Sequence, residues 1–247
     1  MDDKEKQRIE KLRTALNTLI SKKKSINGVI VSDPGDEQQF YHITKKNKLI
    51  YLTTNSGYGI GEKDKFCNEN SPLKPISLYG RTKCDAEYEV RKKNNTVSFR
   101  LATVFGAGFR MRSDLLVNNF VQRAVNKNHI DIFEPKFRRN FIHIKDVVRG
   151  IIFSINNFNK LKSNVYNLGL SNANITKIDL AKKIKKQHKK LKITVIKNKS
   201  DPDKRDYFVS NAKIEKKGFK AKISLDSGIK ELIQIFKNNK NKIINNY

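Results

Sequence analysis

The chain has 247 residues, of which only two are cysteine, Cys67 and Cys84, and four are histidine. Two thiols make no disulfide framework, and their spacing with the histidines suits no zinc site, so no metal is expected. No apolar run approaches the ~18–20 residues that a membrane span needs, so no membrane partner is expected. The opening MDDKEKQRIEKLR is charged from its second residue. It has no apolar stretch of the kind a secretory leader carries, and the cytoplasm is the default expectation. Glycine is sparse ahead of Tyr51, where only Gly28 and Gly35 occur. No glycine-rich phosphate-binding turn can be drawn there.

Acidic residues are also few, 24 against 52 basic ones, which leaves a net charge of +28 and a pI near 10.0. Such a balance is the usual footprint of a polyanion binder. Lysine nevertheless outnumbers arginine by 40 to 12, and the chain is rich in Lys, Asn and Ile together. A dedicated nucleic-acid site uses more arginine, whose planar fork suits phosphates and bases. No zinc finger, aromatic-rich RNA-binding strand or Gly-x-x-Gly clamp is visible. Nonspecific, salt-sensitive polyanion binding is the expectation from charge alone.

An apolar fraction of 37% is enough for a core, and the length suits one domain or a domain with a small appendage. Strand-like and helix-like segments alternate, which points to an α/β fold. Lys48–Thr54 reads as a strand running into a Gly57-Tyr58-Gly59 turn. Tyr79 to about Lys93 reads as a helix with Ala86 and Val90 inward, and Thr96–Phe105 as a buried strand ending at Gly106. Asp114–Asn128 carries a wide apolar stripe at helical spacing. His129–Phe133 reads as a strand, Asp146–Asn156 as a helix and Val165–Leu168 as a strand. Thr176 and Asp179 form a capping box ahead of a helix whose other face is nearly all lysine. Lys192–Ile196 reads as a strand. Asn211 is read as the cap of a short helix ending at Gly218, and Ile229–Phe236 as an amphipathic helix before a frayed tail. Near the start, Lys4–Lys24 has helical spacing, and GVIVSDPGDEQQF reads as a strand and turn.

The chemistry concentrates in residues 51–83, YLTTNSGYGIGEKDKFCNENSPLKPISLYGRTK. The pattern Tyr-x-x-x-Lys occurs three times, at Tyr41/Lys45, Tyr79/Lys83 and Tyr88/Lys92, with 8 Tyr in the chain. Chance alone gives roughly one match, so spacing by itself decides nothing. Only Tyr79/Lys83 has context, with Pro72 and Pro75 before it and Thr54 at the end of an apolar strand. Four residues apart on a helix, Tyr79 and Lys83 share a face. A free phenol has a pKa of about 10 and is a poor base at neutral pH. A nearby ammonium favours the phenolate, and Tyr79 could then take a proton from a hydroxyl as hydride leaves the carbon. Thr54 would hydrogen-bond the same oxygen. These three are the candidate catalytic residues.

Thr54, Tyr79 and Lys83 in that order resemble the extended short-chain dehydrogenase/reductase family, the nucleotide-sugar epimerases and dehydratases. The likeness continues through FRLATVFGAG (99–108), RMRSDLLVNNF (110–120), RRNFIHIKDVVRG (138–150), VYNLGLSNANITKIDLA (165–181) and DPDKRDYFVSNAKIEKKGF (201–219), from about Lys48 to Phe236. The resemblance implies a Rossmann-like, doubly wound parallel sheet with a small C-terminal α/β substrate domain. It implies NAD or NADP as cofactor, held in part by Tyr79 and Lys83, and a nucleotide-diphosphate sugar as substrate. Candidate substrate contacts are Thr103, Asn118, Asn119, Arg139, Arg205 and Asp206. Arg139 and Arg205 would meet the nucleotide, since arginine donates two parallel bonds to a phosphate, and Asp206 would accept from a ribose hydroxyl. Thr103 stands where the family often has Asn, and Asn140 where it has Asp. His143 reads as a packed, hydrogen-bonded histidine. A homodimer through the helix of Tyr79 and Lys83 is implied.

The expected organisation is an atypical segment over 1–47, a partial Rossmann-like catalytic core over 48–169 and a substrate-binding subdomain with tail over 170–247. The family writes its cofactor turn as Gly-x-x-Gly-x-x-Gly, which the residues before Tyr51 lack. The chain is therefore expected to be truncated ahead of its cofactor-loop strands. Three readings stand: an NAD(P)-dependent epimerase or reductase, an inactive remnant that still binds nucleotide sugar, and a basic polyanion-binding protein. Asn55 and Ser56 replace the acidic pair that dehydratases carry next to the Thr, which favours epimerase or reductase chemistry over elimination.

Overall fold

A computed structural model describes residues 29–31, 48–62, 65–108, 111–196 and 204–238. The expected helix over Lys4–Lys24, the Tyr41/Lys45 pair and most of the tail lie outside the described residues.

Four strands form the main sheet: β1 (Val29–Val31), β2 (Lys48–Thr54), β4 (Thr96–Leu101) and β8 (Asn164–Leu168), in the order β1-β2-β4-β8. Every pair is parallel. Between them run β3 (Phe66–Cys67), α1 (Leu78–Arg91), β5 (Thr103–Phe105), α2 (Leu116–Lys127), β6 (His129–Ile132), β7 (Arg138–His143), α3 (Ile144–Asn156) and α4 (Phe158–Leu161). After β8 come β9 (Asn174–Thr176), α5 (Lys177–Gln187), β10 (Lys192–Val195), β11 (Phe208–Val209), α6 (Ala212–Glu215) and α7 (Leu225–Asn238). Parallel strands covered by helices are the Rossmann-like α/β arrangement that the motif order implies.

Side-chain alternation explains the two faces of the sheet. Ile50, Leu52, Val97, Phe99, Tyr166 and Leu168 face one way and join the large core with α2, α3, α5 and α7. Burying each such side chain contributes about 1.5–3 kcal/mol. The opposite face, under α1, is thin in apolar groups. There Leu49 and Tyr51 meet Val90 and Ala86 of α1, and beside them Thr53, Ser98, Arg100 and Asn167 are buried polar groups.

Three boundaries differ from the sequence expectation for local reasons. The long strand Thr96–Phe105 is two strands, because the chain changes sheets at Ala102, whose N–H goes to the Leu168 carbonyl. β5 then pairs with β7, a strand that its Arg-Arg-Asn start conceals. The helix expected from Asp114 starts at Leu116, with Asp114 engaged by Arg112 instead. Asn211 precedes α6 but makes no side-chain cap bond, donating to Ser171 Oγ at 3.3 Å. The Thr176 cap is present, its Oγ1 accepting from Asp179 N at 3.2 Å.

Candidate active site

Ligands of parallel α/β sheets bind beyond the carboxyl ends of the strands. Thr54 is the last residue of β2 and caps a 3-10 turn over Asn55–Tyr58, whose four residues are all buried. Thr54 Oγ1 accepts from Ser56 N at 3.0 Å and donates to Ser56 Oγ at 2.9 Å. The chain then loops to Ser77, whose side chain accepts from Gly80 N and starts α1. That start sets Tyr79 in the first turn, half-exposed, and Lys83 one turn further on, buried.

Thr54 lies close enough to Tyr79 for its hydroxyl to act on the phenol. Burial pushes the Tyr79 phenol above its ordinary value. The Thr54 bond and then the charges of Arg205 and Arg112 pull it back without cancelling the burial. The net direction is opposite to the one expected from a neighbouring ammonium, because desolvation of the phenolate is the larger effect. Lys83 is buried, and its main-chain carbonyl accepts from Thr53 Oγ1 at 3.4 Å.

A second cluster borders the first. Arg205 donates to Ser56 Oγ, which links the segment before β11 to the turn after β2. Arg139 is buried and donates to its neighbour's carbonyl, Arg138 O, at 2.9 Å and to the Arg205 carbonyl. Asp206 accepts from Arg138: its Oδ1 from the backbone N–H at 2.7 Å and from Nε at 2.8 Å, its Oδ2 from Nη2 at 3.2 Å. Arg138 also lies over the Phe208 ring at 4.8 Å.

The remaining candidates sit apart from this pair of clusters. Asn118 is buried in the first turn of α2, where its Oδ1 accepts from Gly106 N and its Nδ2 donates to Arg112 O, both at 3.0 Å. Its amide thereby holds the loop that carries Arg112. Asn119 is half-buried beside it, and Thr103 opens β5, also half-buried. His143 is packed as expected, its Nδ1 accepting from Lys145 N at 3.2 Å and its Nε2 meeting Glu231 at 2.7 Å.

Ser56, Arg112 and Arg138 belong to this site region and were not among the candidate catalytic or substrate-binding residues read from the sequence. Ser56 had one available signal, a hydroxyl two residues after the strand-terminal Thr. The arginines had none: Arg138 pairs with the distant Asp206, and Arg112, paired with the nearby Asp114, acts on Tyr79 only through the fold. Among the described residues, no group of His, Cys, Asp and Glu could hold a metal. No helix among them is long and apolar enough to cross a membrane.

A sequence model of the NAD dependent epimerase/dehydratase family matches residues 39–169. The chain belongs to that family. An uncharacterised family relative from Methanocaldococcus jannaschii, MJ1055, is 27% identical over 208 residues, which is 80% of this chain and 61% of the relative. The chain thus spans about three-fifths of that relative's length. Among solved structures, dTDP-glucose 4,6-dehydratase from Bacillus anthracis, in complex with NAD, superposes with a TM-score of 0.74 at 19% identity. The match covers 93% of this chain and 77% of that one, and shows the shared fold. UDP-glucuronic acid 4-epimerase from Bacillus cereus, solved with UDP-glucuronic acid and NAD, gives a TM-score of 0.67 at 25% identity. There the coverage is 77% of this chain and 62% of the other. The residues matched by the family model include both the turn that carries Thr54 and the helix that carries Tyr79.

Proposed function

We propose that the protein is an NAD(P)-dependent nucleotide-sugar epimerase or reductase that works at a sugar carbon. The observation that carries this reading is the Thr54–Tyr79 pair at the carboxyl end of β2, with Lys83 one helical turn beyond Tyr79. The reacting end of a nicotinamide cofactor fits these residues. Tyr79 is 51% exposed and so open to a ligand, while its phenol is polarised by a hydroxyl and two cations. A bound nicotinamide would supply the hydride acceptor. Tyr79 takes the proton of the sugar hydroxyl and returns it when the carbonyl is reduced. Thr54 holds the reacting oxygen in line.

The substrate side follows from charge. Arg205 and Arg112 bring positive potential to Tyr79 from the side of the 204–206 segment and of the loop before α2. A nucleotide diphosphate is a ligand that such cations favour, with Arg139 and Asp206 shaping the segment that presents Arg205. Asn55 and Ser56 carry no carboxyl group, so neither is suited to protonate a leaving hydroxyl. This supports epimerisation or reduction over dehydration.

The test is a titration of the purified chain with NAD(H) and with UDP- and dTDP-sugars at moderate salt, followed by turnover of wild type and Tyr79→Phe. Saturable cofactor binding is expected, with kcat of Tyr79→Phe down by about 100-fold or more and cofactor affinity unchanged. Equal turnover by the variant would sink the reading. Sugar-nucleotide binding without cofactor binding or turnover would leave a binding protein in its place.

A further inference from the structure

The hydroxyl of Thr54 has one hydrogen and two lone pairs, and the structure accounts for nearly all of them. One lone pair takes Ser56 N–H at 3.0 Å, and the hydrogen goes to Ser56 Oγ at 2.9 Å. The remaining lone pair is the one Tyr79 can reach while it is a phenol. Ser56 Oγ also takes an N–H of Arg205. A guanidinium only donates, so Ser56 must accept from it. With the Thr54 bond, both lone pairs of Ser56 Oγ are then in use. Ser56 is 2% exposed, so bulk water does not compete for these bonds.

The Thr54 proton therefore has two destinations. When Tyr79 is a phenol, its own O–H can point at Thr54, and the Thr54 proton has to lie elsewhere. When Tyr79 is a phenolate, it has no proton to give and accepts from every donor within reach. We propose that Ser56, held in place by Arg205, is a positioning residue that takes up the Thr54 proton while Tyr79 is protonated and yields it to the Tyr79 oxygen when Tyr79 ionises. Thr54 thus meets a protonated oxygen as an acceptor and an ionised one as a donor. Arg205 makes the arrangement depend on the 204–206 segment, which lies about 150 residues further along the chain.

The catalytic meaning rests on the enzyme reading above, but the hydrogen-bond competition does not. Ser56 competes with the phenolate for one proton, so its removal eases Tyr79 ionisation. The experiment is a pH titration of [13Cζ]tyrosine-labelled protein by NMR, with the Tyr79 resonance assigned by its loss in Tyr79→Phe. In Ser56→Ala the Tyr79 midpoint is expected to fall by about 0.5 pH or more, while Ser56→Thr, which keeps a hydroxyl, titrates like wild type. An unchanged midpoint in Ser56→Ala would overturn the proposal, as would an equal shift in Ser56→Thr. If Ser56→Ala does not melt cooperatively, Ser56→Gly replaces it with the same expected shift. In a turnover assay the limb of the kcat–pH profile set by Tyr79 moves with the titration, and KM changes by less than about twofold. Absence of wild-type turnover counts against the enzyme reading alone, since the titration requires none.

Discussion

Glu87 grips Arg100 with both carboxylate oxygens, accepting from Nε at 3.2 and 3.0 Å and from Nη2 at 2.6 Å, with each side chain 3% exposed. The other guanidinium nitrogen donates to Tyr58 Oη at 3.0 Å and to the Glu69 carbonyl at 3.3 Å. Tyr58 in turn donates to Asn167 Oδ1 at 2.6 Å. Burial pushes the Tyr58 phenol up to about 12, against the pull of Arg100, so it stays a neutral link. The network ties α1, which carries Tyr79, to β4, to β8 and to the turn that follows Thr54. It occupies the sheet face where apolar groups are few.

Breaking such a pair leaves a charge buried without its partner, at a cost of about 3–5 kcal/mol. Glu87→Ala should therefore lose that much in urea denaturation. The double variant Glu87→Leu/Arg100→Met removes both charges and should be clearly more stable than Glu87→Ala. A single variant within about 1 kcal/mol of wild type would show that solvent reaches the pair.

Glu231 on α7 meets His143 Nε2 at 2.7 Å and Lys145 Nζ at 2.7 Å. The His143 bond, helped by Lys145 and opposed by burial, holds its carboxyl at about 2, below the ordinary 4.5. A carboxylate depressed in the folded state stabilises above its unfolded value and loses that contribution as pH falls through the folded one. The window is thus from about 4.5 down to about 2. Melting temperature should drop between pH 5 and pH 3, and Glu231→Gln should flatten part of that drop. Identical slopes for the two proteins would remove Glu231 from the acid response.

Much of this was legible in the sequence because it depends on local signals. Short apolar runs closed by glycine marked β2 and β8, and helical spacing marked α2 and α7. Thr54 and Tyr79 stood out by their setting between a strand end and a helix start. β7 was missed because Arg138, Arg139 and Asn140 interrupt any apolar, strand-like run, whereas Asp206 and main-chain carbonyls absorb the arginine donors. The electrostatics of Tyr79 were misjudged for the same reason. Sequence spacing pointed to Lys83, but burial sets the net direction and the distant Arg205 and Arg112 supply opposing charge. The polarity of the Thr54 hydrogen bonds was equally out of reach, since Ser56 takes its second donor from a residue far along the chain.

The capping box of α5 offers a local test. Thr176 Oγ1 accepts from Asp179 N and donates to Asp179 Oδ2 at 2.6 Å. Thr176→Ala removes both bonds and should cost about 1 kcal/mol, with Thr176→Ser close to wild type. Chemical denaturation reads the difference. An alanine variant as stable as wild type would mean that packing of Leu180 and Ile184 alone holds this helix end.

Gly59 is the closing point of the turn that follows Thr54. Its φ of 63° and ψ of −106° suit glycine, and a Cβ there would stand 2.0 Å from the Lys74 carbonyl oxygen. Backbone cannot move aside as a flexible side chain can. The Gly59 carbonyl also accepts from Asp206 N at 3.1 Å, and Lys74 N donates to the Gly57 carbonyl at 2.8 Å. A shift at Gly59 would therefore pull on both the approach to α1 and the segment that brings Arg205 to Ser56. Gly59→Ala should cost about 2 kcal/mol or more and displace the Tyr79 titration midpoint. Gly108→Ala is the control, since a Cβ there meets nothing among the described residues within 4 Å, and it should stay within about 0.5 kcal/mol. Were Gly59→Ala as mild as Gly108→Ala, the turn would be soft enough to reshape around a methyl group. The placement of Thr54 against Tyr79 would then have to come from α1 and not from this turn.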